Sequence, residues 1–303
     1  MQRFPFKVFP PMKSPRLPGK RSVFTRPNDD QVSLFLLLLV FAILPFRSTA
    51  QGNLLLTPQR VIFEGSKKIE ELNLANTGRD TARYAISLIN LRMNENGSFE
   101  EIHQPDTGQN FADKWVRFFP HSVILGPQES QLVKIQLTRP GGMPPGEYRS
   151  HIYFRAIPDQ DPLGEKERTS DTSISVHLIP VFGISIPVII RVGPSTVQTN
   201  LSDLSLVTGK DTTILLDLVF HRTGNSSVYG DLSVDLIPAQ GKTIRVGTAR
   251  GVAVYTPNTI RRFRIPLENT RGFNYHSGKL HVLYTAPSDH KQATIAEAEL
   301  ILQ

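Results

Sequence analysis

The 303-residue sequence contains no cysteine. That excludes disulfides, thiolate metal sites and cysteine nucleophiles, and with them the small stapled domains common among secreted proteins. Tryptophan is almost as scarce, with Trp115 the single example, which leaves little for the exposed aromatic surface that a carbohydrate-binding sandwich uses. Long amphipathic helical patterns are missing. So are the short catalytic signatures: no HExxH, GxSxG elbow, P-loop or dinucleotide glycine fingerprint occurs. The eight histidines (His103, His121, His151, His177, His221, His276, His281 and His290) show no ligand spacing with acids. Glu100 and Glu101 are adjacent, so on a strand they would face opposite ways, and they read as part of a solvated loop rather than an acid–base pair. The expectation is a protein that is not an enzyme, with no metal and no cofactor.

The formal charge of +7 is unevenly placed, because residues 1–50 hold eight Lys/Arg against two Asp/Glu. The remainder is near +1, so charge gives no support to a nucleic-acid or anionic-membrane partner. Residues 1–31 are basic and proline-rich, and Val32–Pro45 is an apolar run of 14 residues. That is shorter than the about 20 residues that span a bilayer. Small residues at Ser48-Thr49-Ala50 follow, where a signal peptidase reads them. Residues 1–50 are therefore expected to be a signal peptide with a long basic n-region, starting at Met1 or Met12 and cleaved before Gln51. An uncleaved membrane anchor is the alternative.

From Leu54 onward, short alternating runs are separated by Gly, Pro, Asn and Asp clusters, the pattern of β-strands and tight turns. One set runs Leu54–Phe63, Ile69–Ala75, Ala82–Arg92, Trp115–Phe118, Gln131–Thr138, Tyr148–Ala156 and Ile174–Val192. After Gly193-Pro194, a second set runs Val197–Val207, Thr213–His221, Tyr229–Leu236, Thr243–Val246, Arg261–Pro266, Lys279–Tyr284 and Ala293–Leu302. About seven short strands per set predicts an all-β chain of two immunoglobulin-like β-sandwich domains, 51–193 and 194–303. Gly224-Asn225-Ser226-Ser227 reads as a hairpin turn, and Asp159–Asp171 as a loop.

One strand stands apart. Every even position from Ile174 to Val192 is apolar: Ile174, Val176, Leu178, Pro180, Phe182, Ile184, Ile186, Val188, Ile190 and Val192. Side chains alternate faces along a strand, so this run presents one continuous apolar face. Pro180 and Pro187 donate no ladder hydrogen bond, which favours a sheet edge. Long apolar edges recruit other chains and are normally avoided. The upper half, Ile174–Phe182, exceeds what a sandwich buries and is expected to bind a partner. The lower half, Ile184–Val192, is expected to be core.

Several motifs occur in a known order: Pro58-Gln59-Arg60-Val61-Ile62-Phe63, Leu72-Asn73-Leu74-Ala75-Asn76, Val116-Arg117-Phe118-Phe119-Pro120, Leu125-Gly126-Pro127-Gln128-Glu129-Ser130-Gln131 and Met143-Pro144-Pro145-Gly146-Glu147-Tyr148-Arg149-Ser150. With the long strand they resemble the first domain of periplasmic pilus-assembly chaperones, the PapD-like family, over Leu54 to Val192. The second domain is similar only in size, position and strand character. The resemblance implies two angled domains with a cleft, the final strand of the first lent to an incomplete subunit, and a basic pair holding the subunit's C-terminal carboxylate. Matching Ile186-Pro187-Val188-Ile189-Ile190-Arg191 to the family's strand end places Leu178, Pro180 and Phe182 at donor positions, beyond Ile174 and Val176. Arg60 matches the first cleft base. Pro187 stands where the family has lysine, and Arg191 is the candidate substitute. Arg149-Ser150 also lacks the Glu usual between them.

The resemblance thus implies a periplasmic, ATP-independent chaperone that lends strand 174–182 to an exported β-rich, pilus-type subunit and passes it to an outer-membrane usher. The alternative is a structural or adhesive two-sandwich protein of the cell envelope.

Overall fold

A computed structural model describes residues 54–138, 141–158, 181–269, 273–287 and 293–302. The expected signal peptide, the Asp159–Asp171 loop and the donor positions Ile174, Val176, Leu178 and Pro180 lie outside the described residues. The regular structure of the described residues is strand, apart from one short 3-10 turn at Lys210–Thr212. The first set is β1 (Leu54–Thr57), β2 (Val61–Phe63), β3 (Ile69–Asn76), β4 (Ala82–Ile89), β5 (Leu91–Met93), β6 (Phe99–Glu101), β7 (Val116–Phe119), β8 (Ser122–Leu125), β9 (Ser130–Leu137), β10 (Gly146–Ile157) and β11 (Gly183–Val192). The second set is β12 (Gln198–Thr208), β13 (Ile214–Thr223), β14 (Val228–Ile237), β15 (Ile244–Val254), β16 (Ile260–Leu267), β17 (Gly278–Thr285) and β18 (Thr294–Leu302).

Two sandwiches result. In the first, a β1-β3-β9-β7 sheet faces a β2-β11-β10-β4-β8 sheet; in the second, β12-β13-β16 faces β15-β14-β17-β18. Alternation drives both. Leu72 and Leu74, Val133 and Ile135, Ile152 and Phe154, and Val188 and Ile190 point inward at two-residue spacing and form the first core. Leu216, Leu218 and Phe220 meet Leu232, Val234 and Leu236 in the second, where the Phe220 and Tyr284 rings meet edge to face at 5.0 Å. Burial of each such side chain contributes on the order of 1.5–3 kcal/mol before ordering costs.

The expected strand boundaries change in several places. Leu54–Phe63 is two strands rather than one: Pro58 donates no ladder bond, and across the Thr57–Arg60 bend the chain passes from one sheet to the other. Ala82–Arg92 divides into β4 and β5. Glu100 and Glu101 are not in a loop but in β6, which forms a hairpin with β5 through the Asn96-Gly97 turn, with Gly97 at φ +84°. Thr243–Val246 extends to the 11-residue β15.

The connection between the sandwiches is held by the β13–β14 turn. Gly224 there has φ +87°, and a Cβ at that site would come within 2.3 Å of the Thr196 carbonyl oxygen. Beside it, Asn225 Nδ2 donates to the Pro194 carbonyl at 3.0 Å and Asn225 Oδ1 accepts from the Thr196 amide at 3.0 Å.

In the first sandwich, Asn76 closes the β3–β4 turn from inside. Its buried Nδ2 donates to the carbonyls of Asp80, Leu125 and Gly126 at 2.8, 3.0 and 3.1 Å, and its Oδ1 accepts from the Gly78 amide at 2.9 Å. Asn76→Ala is expected to lower unfolding free energy by about 1–3 kcal/mol, the cost of leaving buried backbone groups unpaired. Urea unfolding followed by circular dichroism checks this.

Candidate functional site

The central feature is the β10–β11 pair, whose register sets Glu147 against Arg191, Arg149 against Ile189 and His151 against Pro187. Even positions of both strands enter the first core. The odd positions form the opposite face, which is buried at Glu147, Arg149, His151, Pro187 and Ile189 and exposed at Arg155, Ile157 and Gly183. Ile189 packs with Met93, Ala253, Tyr255, Ile62 and Tyr229 in a small cluster shared by both sandwiches.

At one end of this face Glu147 is sealed in, its side chain 0% exposed. Its Oε2 accepts from the Ser227 amide at 2.9 Å, the Ser227 hydroxyl at 2.8 Å and Arg191 Nε at 3.2 Å, and its Oε1 accepts from the Thr256 hydroxyl at 3.4 Å. Arg191 also donates to Glu64 Oε1 at 2.6 Å and to the Ser227 carbonyl at 3.2 Å. Burial opposes the Arg191 charge, but hydrogen bonds and attraction from Glu64 and Glu147 outweigh it and hold the guanidinium above its usual range. Arg191 is therefore not the free base expected in place of Pro187. Both carboxylates belong to the first sandwich and neutralise it there, and its link to the second sandwich is the bond to the Ser227 carbonyl.

The free cations lie further along. Arg60 follows the β1–β2 bend, and its Cζ sits 4.1 Å from the centroid of the Tyr229 ring and 5.9 Å from that of Tyr255. Arg149 Cζ lies 4.5 Å from the same Tyr255 centroid. Arg149 is 2% exposed. Its Nη2 donates to the carbonyls of Leu91 at 3.1 Å and Thr256 at 3.4 Å. Arg60 Nε and Nη2 and Arg149 Nε and Nη1 are buried with no hydrogen-bond partner among the described residues. Burial pushes Arg149 below the usual guanidinium range; Tyr255 and Glu147 counter this, and Arg60 adds to it. His151 is buried between Phe99 and Tyr255, with ring centroids 5.6 and 6.3 Å away. Burial first, and Arg149 second, push its imidazole down to about 3.

The second feature is the edge of β11. The short β2 pairs parallel with β11 only at Val188–Ile190, so among the described residues Gly183–Pro187 is hydrogen-bonded on the β10 side alone. The even row, buried at Ile186 (4%), emerges at Ile184 (40%) and Phe182 (62%). Val181 and Ile157 are exposed beside them. Phe182 is thus exposed. Ile184, expected in the core, belongs with it instead, because the row runs out from between the sheets one residue pair earlier than the alternation alone suggested.

Sequence reasoning picked out Arg60 and Phe182 but missed Arg149, His151, Glu147, Tyr229 and Tyr255. A signal for three of them was present: Glu147, Arg149 and His151 are ionisable residues at every second position of a strand whose alternate row continues into Ile152 and Phe154, which requires a second polar or covered face. The tyrosines carry no comparable local signal.

No family model and no curated protein matches this chain. Among solved structures it is similar to a chain of the CsuC–CsuE chaperone–tip adhesion subunit complex from Csu pili of Acinetobacter baumannii, at 13% identity and TM-score 0.42, over 80% of this chain and 98% of that one. It is also similar to the CupB2 chaperone of Pseudomonas aeruginosa, at 12% identity and TM-score 0.39, over 82% and 100% of the two chains. The E. coli chaperone DraB gives 16% and 0.39 over 84% and 98%.

Two outcomes follow from the site's charges. Arg191→Ala strands the sealed Glu147 carboxylate and is expected to destabilise the protein by about 3–5 kcal/mol, measurable by urea unfolding. For His151, the unfolded chain takes up a proton below about pH 6.5, whereas the folded imidazole stays neutral down to about 3. Stability is therefore lost as pH falls through that window, and His151→Phe is expected to lose less melting temperature than the native protein between neutral pH and pH about 4.5.

Proposed function

We propose that this chain is a periplasmic, ATP-independent and non-catalytic chaperone that captures exported β-rich subunits of the pilus type by strand addition at the β11 edge, and passes them to surface assembly. The observation that carries the reading is the open edge at Gly183–Pro187, flanked by exposed Phe182 and Ile184 on the row that otherwise fills the core. A partner strand laid there gains main-chain hydrogen bonds for register and apolar contacts for affinity. The residues 174–180 that would continue the row lie outside the described residues, and their donor role rests on their alternation with Phe182. Arg60, at the end of the edge, is assigned to a carboxylate of the partner, for which a guanidinium fork is suited. The pilus-chaperone resemblance of the sequence motifs supports the same assignment, and the delivery partner it implies is an outer-membrane usher.

Replacing Phe182 and Ile184 together with serine tests the reading. Loss of their exposed share of about 1.5–3 kcal/mol per side chain is expected to weaken capture of a co-expressed exported β-rich subunit by about 2–4 kcal/mol. The melting temperature should move by only a few degrees. The same treatment of Ile186 and Val188 should unfold the first sandwich, since truncating buried aliphatic side chains costs about 2–5 kcal/mol each. Unfolding of the Phe182/Ile184 variant would make the row ordinary core. Permanent retention of the chain in the finished surface structure would instead assign it a structural or adhesive role.

A further inference from the structure

We propose that Asn96 is a covalent modification site: attack by the Gly97 backbone nitrogen converts its side-chain amide to an acid, and the resulting carboxylate supplies a counter-charge for Arg261. This holds whatever partner the β11 edge takes. Asn96-Gly97 is the single Asn-Gly step in the sequence. It stands at the exposed tip of the β5–β6 hairpin. That hairpin leaves the first sandwich and grips the second. The Met93 carbonyl accepts from Asn258 Nδ2 at 2.7 Å, and the Glu95 carbonyl accepts from the Arg262 amide at 2.7 Å. The Glu95 carboxylate lies 3.5 Å from Arg262 Nε. A chemical change at the tip is therefore a change at the contact between the sandwiches.

Asparagine is a chemically labile residue, most so before glycine, which has no side chain to shield its nitrogen. Asn96 Oδ1 accepts twice from Ser98, from its amide at 2.9 Å and its hydroxyl at 2.6 Å. These donors polarise the amide carbon and hold the oxyanion that forms when a nitrogen attacks it. Arg261 lies against the same glycine, and a Cβ on Gly97 would come within 2.6 Å of its Nη2. A guanidinium this close favours loss of the Gly97 amide proton to hydroxide. In the resting turn that amide donates to the Asn94 carbonyl at 2.9 Å, so attack follows local opening of this bond at the tip. The nitrogen then bonds to Asn96 Cγ, the Cγ–Nδ2 bond breaks, and the leaving nitrogen takes a proton from water and departs as ammonia. Water adds to one carbonyl of the cyclic imide and opens it, leaving an aspartyl or an isoaspartyl linkage. Water is the only co-reactant consumed.

The neighbouring arginines each have a carboxylate, Glu95 for Arg262 and Asp217 for Arg264. Arg261 pairs with none among the described residues: its Nη1 donates to the Ala253 carbonyl and its buried Nε has no partner there. Burial pushes its guanidinium below the usual range, against the opposing influence of Tyr284 and Tyr255. Asn96 lines one open cavity with these three arginines. An aspartyl carboxylate at position 96 keeps both Ser98 bonds and adds a negative charge beside Arg261. The isoaspartyl form instead lengthens the backbone of the turn and displaces the Glu95 carbonyl from Arg262.

The purified protein, held at mildly alkaline pH and then mapped peptide by peptide in a mass spectrometer, tests the reaction. Asn96 is expected to convert ahead of every other asparagine, with the isoaspartyl fraction revealed by carboxyl-methyltransferase labelling. Ser98→Ala and Arg261→Met should each slow conversion severalfold in the folded protein and leave it unchanged in urea, which separates the fold's contribution from the reactivity of the dipeptide itself. Ser98→Ala, at an exposed position, carries this comparison if Arg261→Met does not fold. Asn96→Asp, which is the normal-linkage product, should melt above the native protein at neutral pH. That gain should be lost as acid protonates the carboxylate, and be absent when Arg261→Met is added. An Asn96 that survives while other asparagines convert overturns the proposal. So does a folded-state rate unchanged by Ser98→Ala, or an Asn96→Asp variant that melts at or below the native protein.

Discussion

Burial of β10 and β11 on both faces is the constraint on which the rest of the molecule depends. Their even positions complete the first core, and their odd positions carry the second sandwich. A one-residue slip in this pair would exchange the two sets and place Glu147, Arg149 and Arg191 among Val188, Ile190 and Ile152. Register is therefore specified from two sides at once. The same double use explains why a strand pair at the centre of the fold contains so many charged groups.

Three arginines at this junction illustrate three ways to hold a guanidinium in a protein interior. Arg222 is wrapped in carbonyls and pins the β13–β14 turn. Arg191 is neutralised by Glu147 and Glu64 and joins the sandwiches through the Ser227 carbonyl. Arg149 rests on a tyrosine ring with Nε and Nη1 unpaired among the described residues. The first two are held by acceptors of the fold, and the third only in part. Their chemistry is identical, so only the inventory of partners distinguishes them.

Much of the fold was legible because a two-residue period and turn residues are local signals. The Leu72-Asn73-Leu74 and Ile186–Ile190 runs declare their inward faces, and the Asn76 turn and the Gly193-Pro194 break both fall between strands. What failed depends on partners elsewhere in the chain. The passage of Thr57–Arg60 between sheets depends on which strand each half pairs with, and the β6 assignment of Glu100 depends on its partner β5. In the site, Arg60 was legible through its motif. Arg149 was legible only as a charge out of place, because its significance comes from Tyr255, more than 100 residues along the chain. The misplacement of Arg191 has the same cause: Glu64 and Glu147 lie far from it in sequence and touch it only through the fold.

The late start of β2 has a consequence at the sheet edge. β2 runs parallel to β11 and begins at Val61, opposite Val188, so Arg60 stands at the head of the uncovered edge. That edge is five residues long, about 16 Å at the usual rise per residue. On that stretch the β11 main-chain groups that point away from β10 have no partner strand among the described residues, so the edge keeps its capacity to pair, while the far end of the same strand, at Val188–Ile190, is closed by β2.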